Sequence, residues 1–245
     1  MKQHKRVALI TGASRGLGLE IARLFAQRGM PLVLTARGAT ALEAAADELR
    51  KLTEVVALPG DVADLAHSER LVQLGLEHFG RIDVLVNNAS SIGPSPMATL
   101  EVYPPDAFAE VFRVNVAAPL RLVQLVLAGM RAQGEGIIVN VTSDAAVQAY
   151  PGWGGYGASK AALEHLSRVL AAELEGSGVR VYVVDPGDMN TQMHREAEPG
   201  VDLSHLPGPE VSAPAFLYLV EEETAPFGRF EAQKLAPALV GAPRP

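Results

Sequence analysis

Short runs of apolar, often β-branched residues alternate along the chain with longer segments in which apolar residues recur at helical spacing. The short runs predict seven strands, the last one weak, at residues 7–11, 31–35, 55–58, 82–86, 137–141, 179–184 and 228–232. The longer segments predict helices at residues 16–28, 40–52, 66–79, 106–130, 156–175 and 213–221. Strands that alternate with helices are typical of βαβ units. The pattern therefore predicts an α/β fold with a doubly wound parallel sheet.

Residues that end or begin helices support these boundaries. Gly29 and Gly80 follow the first and third predicted helices, where glycine commonly ends a helix. Thr40 and Glu43 have the spacing of a capping box, which predicts the start of the second helix.

A proline inside the long predicted helix bears on a nearby asparagine. Pro119 lies four residues after Asn115, and proline has no N–H to donate to the Asn115 carbonyl. Two interpretations remain open. The proline leaves that carbonyl oxygen free for another donor, or it only curves the helix around the sheet.

Composition and charge narrow the class of protein. The chain has 245 residues, of which 48% are hydrophobic and 20% charged, so it can bury a substantial core. Without an internal boundary or repeat, a single domain over residues 1–245 is predicted, with a frayed tail at 235–245.

Several kinds of site are disfavoured by what the sequence contains. With no cysteine, the chain has no disulfide, thiol nucleophile or zinc–thiolate site, and its six histidines are scattered, so no metal site is predicted. A net charge of −7 gives no basic surface for nucleic acid or an anionic membrane. No apolar run approaches the ~20 residues that span a bilayer. The sequence predicts a cytoplasmic protein with neither nucleic-acid nor membrane partners.

A glycine-rich segment follows the first predicted strand and opens the first helix. Residues 11–18 read Thr-Gly-Ala-Ser-Arg-Gly-Leu-Gly. Glycines at such a turn let a pyrophosphate approach the backbone and the positive end of the helix. The segment predicts cofactor contacts from Gly12, Ser14, Arg15, Gly16, Leu17 and Gly18.

The end of the second strand indicates which dinucleotide is bound. An acid at this place binds the ribose of NAD, but the chain reads Leu34-Thr35-Ala36-Arg37. Arg37 and Arg15 are suited to hold a 2′-phosphate by charge-assisted hydrogen bonds, which favours NADP(H). The alternative is that both are ordinary surface arginines.

Two further pairs of residues lie at the predicted ligand edge of the sheet. Asp61, followed by Val62, either contacts the adenine or caps the next helix. Asn88 and Ala89 end the fourth strand and either contact the cofactor or satisfy the backbone of a turn.

The residues with the clearest chemistry are Ser143, Tyr156 and Lys160. Tyr156 and Lys160 are four residues apart and point from the same face of a helix. A phenol has a pKa of about 10, so ionising it at pH 7 requires roughly 4 kcal/mol. An ammonium about 4 Å away in a partly desolvated site supplies a comparable amount. The pair thus predicts a tyrosine acid/base, the alternative being a solvated helix face.

These motifs together resemble one family. The glycine turn at 11–18, Asn87-Asn88-Ala89, Asn115, Ser143, Tyr156-x-x-x-Lys160 and Pro186-Gly187 followed by Thr191 occur in the same order in the short-chain dehydrogenase/reductase family. The resemblance covers roughly residues 6–232. It implies a Rossmann-type fold that binds a nicotinamide cofactor, with Pro186 and Gly187 among the residues near it.

The resemblance also implies a role for each catalytic position. The serine matching Ser143 orients the substrate oxygen, and the tyrosine matching Tyr156 passes the proton. The lysine matching Lys160 lowers the tyrosine pKa and holds the nicotinamide ribose. The asparagine matching Asn115 binds, through its carbonyl, a water that relays protons, and the residue matching Thr191 contacts the nicotinamide amide.

The function predicted from the sequence is an NADP(H)-dependent oxidoreductase acting on a small ketone, aldehyde or secondary alcohol. One alternative is a 3-oxoacyl-[acyl-carrier-protein] reductase. An acidic carrier needs a basic docking surface, but residues 133–136 and 171–175 are not basic, which favours a small uncharged substrate. The other alternative is a non-catalytic dinucleotide sensor, which would have no reason to keep serine, tyrosine and lysine together.

Substrate contacts and assembly are less clearly encoded. Ser90 stands where many family members have glycine, and is expected to narrow the space near the nicotinamide. The helices at 106–130 and 156–175 carry more apolar residues than one sheet face requires, which with the resemblance predicts a homo-oligomer, a dimer or tetramer. Candidate pocket walls are Asp144, Val147, Tyr150, Trp153, Asp188 and Met193.

Overall fold

A computed structural model describes residues 5–235, in which seven strands form one parallel sheet. The strand order is β3-β2-β1-β4-β5-β6-β7. The strands are β1 (Ala8–Thr11), β2 (Leu32–Ala36), β3 (Val55–Pro59), β4 (Val84–Asn87), β5 (Gly136–Val141), β6 (Val179–Asp185) and β7 (Phe227–Glu231). All seven strands predicted from the sequence are present, within a few residues.

Helices connect the strands and cover both faces of the sheet. They are α1 (Gly16–Gln27), α2 (Ala39–Leu49), α3 (Leu65–Phe79), α4 (Pro105–Phe112), α5 (Ala118–Gln133), α6 (Gly154–Glu173), α7 (Gln192–Ala197) and α8 (Ala213–Glu221). Alternate residues of β1 show the two layers. Ala8 and Ile10 pack in a core with α1, α2 and α8, whereas Leu9 packs in a second core with α3, α5 and α6. The predicted doubly wound α/β fold, a Rossmann-type single domain, is confirmed.

The order of the strands places the ligand edge. Ile10 of β1 is in register with Leu34 of β2 on one side and Val86 of β4 on the other. The chain therefore runs outward to β3 and returns to β4 beside β1. Ligands of open parallel sheets bind at the carboxyl ends of the strands where the order reverses. Here that point lies between the ends of β1 and β4.

The long helix predicted at 106–130 is interrupted. Between α4 and α5 the backbone forms a π-helical turn, Arg113–Ala117, in which the N–H of Ala118 bonds to the carbonyl of Arg113. Pro119 follows directly and cannot donate the hydrogen bond that an α-helix would need at that position. The turn absorbs the proline within one helical segment, Pro105–Gln133, so the long predicted helix is present but is not α-helical throughout.

Three other local predictions concern the starts of α2 and α3 and the end of the chain. The capping box was wrong, because α2 begins after Gly38 without a side-chain cap. Asp61 does not cap α3 either, because Asp64 does so by accepting the N–H of Ala66 at 2.9 Å. Apart from Leu235, the tail predicted to fray lies outside the described residues.

One helical segment is apolar enough to cross a membrane by length and composition. Pro105–Gln133, which contains α4, the π-helical turn and α5, has a mean hydropathy of 1.5 in its most apolar window. Leu122, Val126 and Met130 of this segment pack in the core against the sheet. Only 39% of the window is buried, and Phe112, Val116, Leu120 and Leu127 are half-buried.

Candidate active site

The end of β5 and the start of α6 lie close together. Ser143 follows β5, and Tyr156 and Lys160 lie one turn apart in α6. Gly157 permits this close approach, because a Cβ at that position would be 2.5 Å from the carbonyl oxygen of Ala145. The structure thus brings the three residues predicted to be catalytic to one place at the ligand edge of the sheet.

Lys160 is buried behind the tyrosine. Its side chain is 2% exposed, and its Nζ donates a 2.8 Å hydrogen bond to the carbonyl of Val141. The Nζ lies 5.5 Å from the centre of the Tyr156 ring. Burial lowers the pKa of Lys160 to about 7, because an ammonium in this position has lost most of its hydration.

Tyr156 is also buried, with 8% of its surface exposed. Burial raises its pKa above the ordinary value of a phenol, the negative charges of Asp185 and Asp144 raise it further, and the hydroxyls of Ser143 and Ser90 partly offset them. The sequence predicted the opposite direction, on the assumption of a full lysine charge. Desolvation acts on both members of the pair and outweighs their attraction. At neutral pH Tyr156 therefore holds its proton and can act as an acid.

Asn115 joins the segment after β4 to α6. Its Oδ1 accepts the N–H of Ser91 at 2.8 Å and the hydroxyl of Ser90 at 3.1 Å, and its Nδ2 donates to Ser159 at 2.9 Å. Ser159 in turn donates to the carbonyl of Tyr156 at 2.6 Å. The side chain of Asn115 is thus part of the scaffold that positions the tyrosine. Ser159 was not predicted as a site residue, although its place three residues after Tyr156 puts its hydroxyl on the same face of the helix.

The hydroxyl of Ser143 is held by its neighbour. It donates to Asp144 Oδ1 at 3.0 Å and accepts the N–H of Ala145 at 3.2 Å. Asp144 Oδ2 accepts the hydroxyl of Tyr150 at 2.6 Å. One carboxylate therefore orients both the serine predicted to bind the substrate oxygen and a tyrosine on the cavity wall.

A buried ionic network supports this site from behind. Arg229 of β7 contacts Glu164 at 3.0 Å and Asp185 at 3.4 Å, and its guanidinium also donates to the carbonyl of Ser143 at 3.4 Å. Glu164 further accepts the hydroxyl of Thr142 at 2.9 Å. No motif in the sequence predicted this network. Glu164 lies on the buried face of α6, four residues after Lys160, and could have indicated the network, because buried acids need partners.

Two glycines of the turn, Gly12 and Gly18, have no room for a side chain. A Cβ on Gly12 would be 2.8 Å from Nδ2 of Asn88, and one on Gly18 would be 2.4 Å from the carbonyl oxygen of Gly12. The α1 N-terminus has no side-chain cap and no acidic residue in its first turn. Its free N–H groups therefore fit the diphosphate of a dinucleotide. Within the turn, Ser14 is half-buried and Leu17 packs in the core.

Asn88 and Ala89 hold this turn against β4. The side-chain amide of Asn88 donates to the carbonyls of Thr11 and Gly12, at 2.9 and 3.2 Å. The hydroxyl of Thr11, a residue not singled out from the sequence, accepts the N–H groups of both Asn88 and Ala89. The amide of Asn88 thus satisfies backbone carbonyls in the structure, as one of the two sequence interpretations held.

The segment after β6 reaches the same turn. Thr191 caps α7, and its methyl group would lie 3.9 Å from a Cβ on Gly16. Gly187 has a φ of 73°, which favours glycine, and its N–H donates to Asp185 at 3.0 Å. Pro186 is fixed through its carbonyl, which accepts the hydroxyl of Ser212 at 2.7 Å. These three predicted residues therefore lie at the ligand edge.

The residues predicted to surround the adenine end are more exposed. Arg37 lies at the end of β2 and forms no ion pair among the described residues, and Arg15 donates to the side chain of Gln192. The carboxylate of Asp61 lies 3.9 Å from the guanidinium of Arg113. Val62 is buried and accepts, through its carbonyl, the hydroxyl of Ser68 at 2.9 Å.

A cavity of about 320 Å³ opens beside the catalytic residues. Trp153, one of its walls, stands edge-on to Tyr156 with ring centres 5.7 Å apart. Of the predicted walls, Asp144, Tyr150, Trp153 and Asp188 line the cavity. Val147 is 64% exposed and does not line it, and Met193 packs instead in a small cluster with Tyr156. This cavity is the candidate substrate site.

Comparison with known proteins agrees with this geometry. A family profile described as short chain dehydrogenase matches residues 6–202. The chain belongs to the short chain dehydrogenase family. The family binds nicotinamide dinucleotides, in keeping with the glycine turn described above. The resemblance proposed from the motifs is thereby confirmed.

Two relatives in the short chain dehydrogenase family show the range of activities nearby. A protein of Xanthobacter autotrophicus named 2-(R)-hydroxypropyl-CoM dehydrogenase is 38% identical over 190 residues, covering 77% of this chain and 76% of that protein. A rhamnolipid-biosynthesis 3-oxoacyl-[acyl-carrier-protein] reductase of Pseudomonas aeruginosa is 37% identical over 199 residues, covering 78% and 75%. By name, both are oxidoreductases.

Solved structures of the short chain dehydrogenase family share the whole fold. An alcohol dehydrogenase of the archaeon Thermococcus sibiricus, complexed with 5-hydroxy-NADP, has a TM-score of 0.82 and 31% identity, covering 93% of this chain and 95% of that one. A metagenomic short-chain oxidoreductase in complex with NADP has a TM-score of 0.77 and 29% identity, covering 92% and 96%.

Proposed function

We propose that the protein is an NADP(H)-dependent oxidoreductase that interconverts a small ketone or aldehyde and the corresponding alcohol. The observation that carries this proposal is the grouping of Ser143, Tyr156 and Lys160 beside a cavity, at the edge of the sheet that also carries the glycine turn. A sensor without chemistry would need the turn but not the buried lysine, whose burial is costly.

In this proposal the nicotinamide, when bound, supplies or accepts the hydride. Tyr156 protonates the carbonyl oxygen, a role that suits a phenol that keeps its proton at neutral pH. Ser143 holds the same oxygen, once its hydroxyl turns from Asp144 toward the substrate. Lys160 has a pKa of about 7, so near neutral pH it can return a proton to Tyr156.

The test is initial-rate screening of ketones and aldehydes with NADPH and NADH side by side. Tyr156→Phe is expected to lower turnover by about 10²- to 10⁴-fold, because it removes the positioned acid. NADPH affinity should change little. Tyr218→Phe on α8, far from the cavity, is the matched control and should keep its rate. Full turnover by Tyr156→Phe would refute the assignment, and cofactor binding without turnover of any carbonyl would favour the sensor.

The preference for NADP(H) rests on Arg37 and Arg15 at the adenine end. Two similar solved structures are complexes with 5-hydroxy-NADP and NADP. Arg37→Ala is expected to raise the KM for NADPH by about tenfold, the value of one charge-assisted phosphate contact, and to leave the KM for NADH nearly unchanged. An equal effect on both cofactors would show that Arg37 does not bind the 2′-phosphate.

A second candidate substrate is an acyl group on a carrier protein. The Pseudomonas aeruginosa relative named a 3-oxoacyl-[acyl-carrier-protein] reductase favours it. Against it, α6 ends in Glu173 and is followed by Glu175, and Glu135 precedes β5, so these surfaces would repel an acidic carrier. Faster reduction of a carrier-bound 3-oxoacyl group than of the free ketones would establish this second candidate.

We also propose that the chain forms a homo-oligomer in the cytoplasm, with no nucleic-acid or membrane partner. The half-buried apolar side chains of the segment Pro105–Gln133 and Val169 of α6, which is 44% exposed, support assembly through these helices. Light scattering is expected to give a dimer or tetramer, and Val169→Asp to lower its mass. A monomeric wild-type protein would contradict the proposal.

A further inference from the structure

The cavity beside Tyr156 is lined by more negative charge than an uncharged substrate requires. Three carboxylates line it, those of Asp144, Asp188 and Glu198. Among the described residues that line the cavity there is no lysine or arginine, and the basic groups are His194 and His205. Three carboxylates outnumber the two histidines, so the wall of the substrate site carries a net negative charge.

The contacts of these groups maintain that charge. Asp144 accepts hydrogen bonds from both Ser143 and Tyr150, an arrangement that suits a carboxylate. The bond to Asp144 raises the pKa of Tyr150 to about 12, so its hydroxyl stays uncharged. His194 lies near both the Met189 carbonyl, at 3.2 Å from Nδ1, and Glu198, at 3.5 Å from Nε2.

Aromatic rings complete the wall. Trp153 stands between Tyr156 and His194, with ring centres 5.7 and 6.2 Å away and both neighbours nearly perpendicular to it. Tyr150 is 40% exposed at the same cavity. Tryptophan and tyrosine faces attract organic cations, most strongly when carboxylates stand nearby and water is partly excluded. This aromatic, anionic wall adjoins the reacting centre, because Asp144 accepts the hydroxyl of Ser143 and Trp153 contacts Tyr156.

We propose that the substrate carries a positive charge, as an amino or quaternary ammonium group a few bonds from the carbonyl or alcohol carbon. This inference rests on the proposed function and specifies its substrate class. The cavity of about 320 Å³ has room for such a compound beside the tyrosine. A carboxylate, sulfonate or phosphate in the same position would face three like charges, which disfavours anionic substrates.

Three ketones of nearly equal shape test the charge alone. They are acetonyl trimethylammonium, its uncharged analogue neopentyl methyl ketone, and acetonyl sulfonate. With NADPH, kcat/KM for the cation is expected to exceed that for the neutral ketone by about tenfold, and the anion to be poorer than the neutral ketone by a similar factor. Binding can be read separately, since Trp153 is the single tryptophan of the chain and its fluorescence reports on the cavity.

Two variants place the effect on the wall. Asp188→Asn and Glu198→Gln are each expected to lower the cation-to-neutral ratio about threefold, a modest factor because Asp188 is exposed and Glu198 is half-buried. Glu175→Gln, after the end of α6, removes one acid away from the cavity and should leave the ratio unchanged.

The outcomes separate the two proposals. Equal kcat/KM for the cation and the neutral ketone would overturn the charge preference while leaving the proposed function intact. If no ketone is reduced, the proposed function fails, and the fluorescence titration still decides: tighter binding of the cation supports the inference, and equal binding refutes it. A charge preference that persists in both wall variants would also refute it.

Discussion

Replacing Lys160 with methionine should stabilise the protein while it impairs catalysis. A lysine with an ordinary pKa of 10.5 that titrates at about 7 when buried carries a free-energy cost of about 4 kcal/mol at pH 7. Methionine removes that cost and keeps most of the apolar stem. It also removes the hydrogen bond from Nζ to the Val141 carbonyl, a loss of about 1 to 2 kcal/mol. The expected net gain in unfolding free energy is about 2 kcal/mol at pH 7.

The gain should depend on pH in a definite direction. Between pH 7 and 10.5 the unfolded chain binds a proton at Lys160 that the folded protein does not, so the wild-type protein becomes more stable as pH rises through this window. The methionine variant has no such group. Its advantage should therefore shrink from about 2 kcal/mol at pH 7 to near zero around pH 9.5.

Urea unfolding followed by tryptophan fluorescence measures both quantities. Lys51→Met, at an exposed lysine after α2, is the matched control and should change stability by less than about 0.5 kcal/mol at either pH. A Lys160→Met protein less stable than wild type at pH 7, or one whose advantage is the same at pH 7 and pH 9.5, would show that the buried lysine does not titrate as described.

Three further substitutions test other parts of the site. Gly18→Ala should weaken NADPH binding at least about tenfold, because its Cβ would lie 2.4 Å from a carbonyl oxygen of the turn. Gly38→Ala is the control: a Cβ there would have no atom closer than 4.0 Å, so this variant should bind NADPH normally in the same titration. Arg229→Met should lower the unfolding free energy by about 3 kcal/mol in urea, since it leaves Asp185 without its cation and Glu164 with only Arg168, and a change below about 1 kcal/mol would contradict this. Asp185→Asn should lower the pKa of the catalytic tyrosine and shift the acidic limb of alcohol oxidation to lower pH, and an unmoved or raised limb would refute the effect of that charge.

The sheet was predictable from the sequence because each strand is a short apolar run set off by turns or helices. The same holds for the glycine turn and for Tyr156 and Lys160, whose spacing is itself the signal. The π-helical turn was not, although Pro119 was visible. A proline shows that one hydrogen bond is missing, but whether the helix kinks or widens depends on what packs around it.

Errors at the site share a physical cause, which is burial. Spacing shows that Lys160 and Tyr156 are neighbours, but it does not show how much water either keeps, so the direction of the tyrosine pKa was wrong. In the same way, Arg229 and Glu164 are 65 residues apart, and only the packing of β7 beside β6 brings them together. Sequence patterns reveal partners that are close along the chain, and they do not predict a charge network between distant segments.

Arg229 belongs to β7, the last strand of the described residues, which has a consequence for synthesis on the ribosome. Most of the nucleotide-binding half and the tyrosine helix emerge before this arginine does. Until it arrives, Asp185 lacks its cation, Glu164 has only Arg168 on its own helix, and the backbone at Ser143 lacks one of its supports. A growing chain can therefore fold its first strands early, but its reaction centre becomes fully organised only after β7 has emerged.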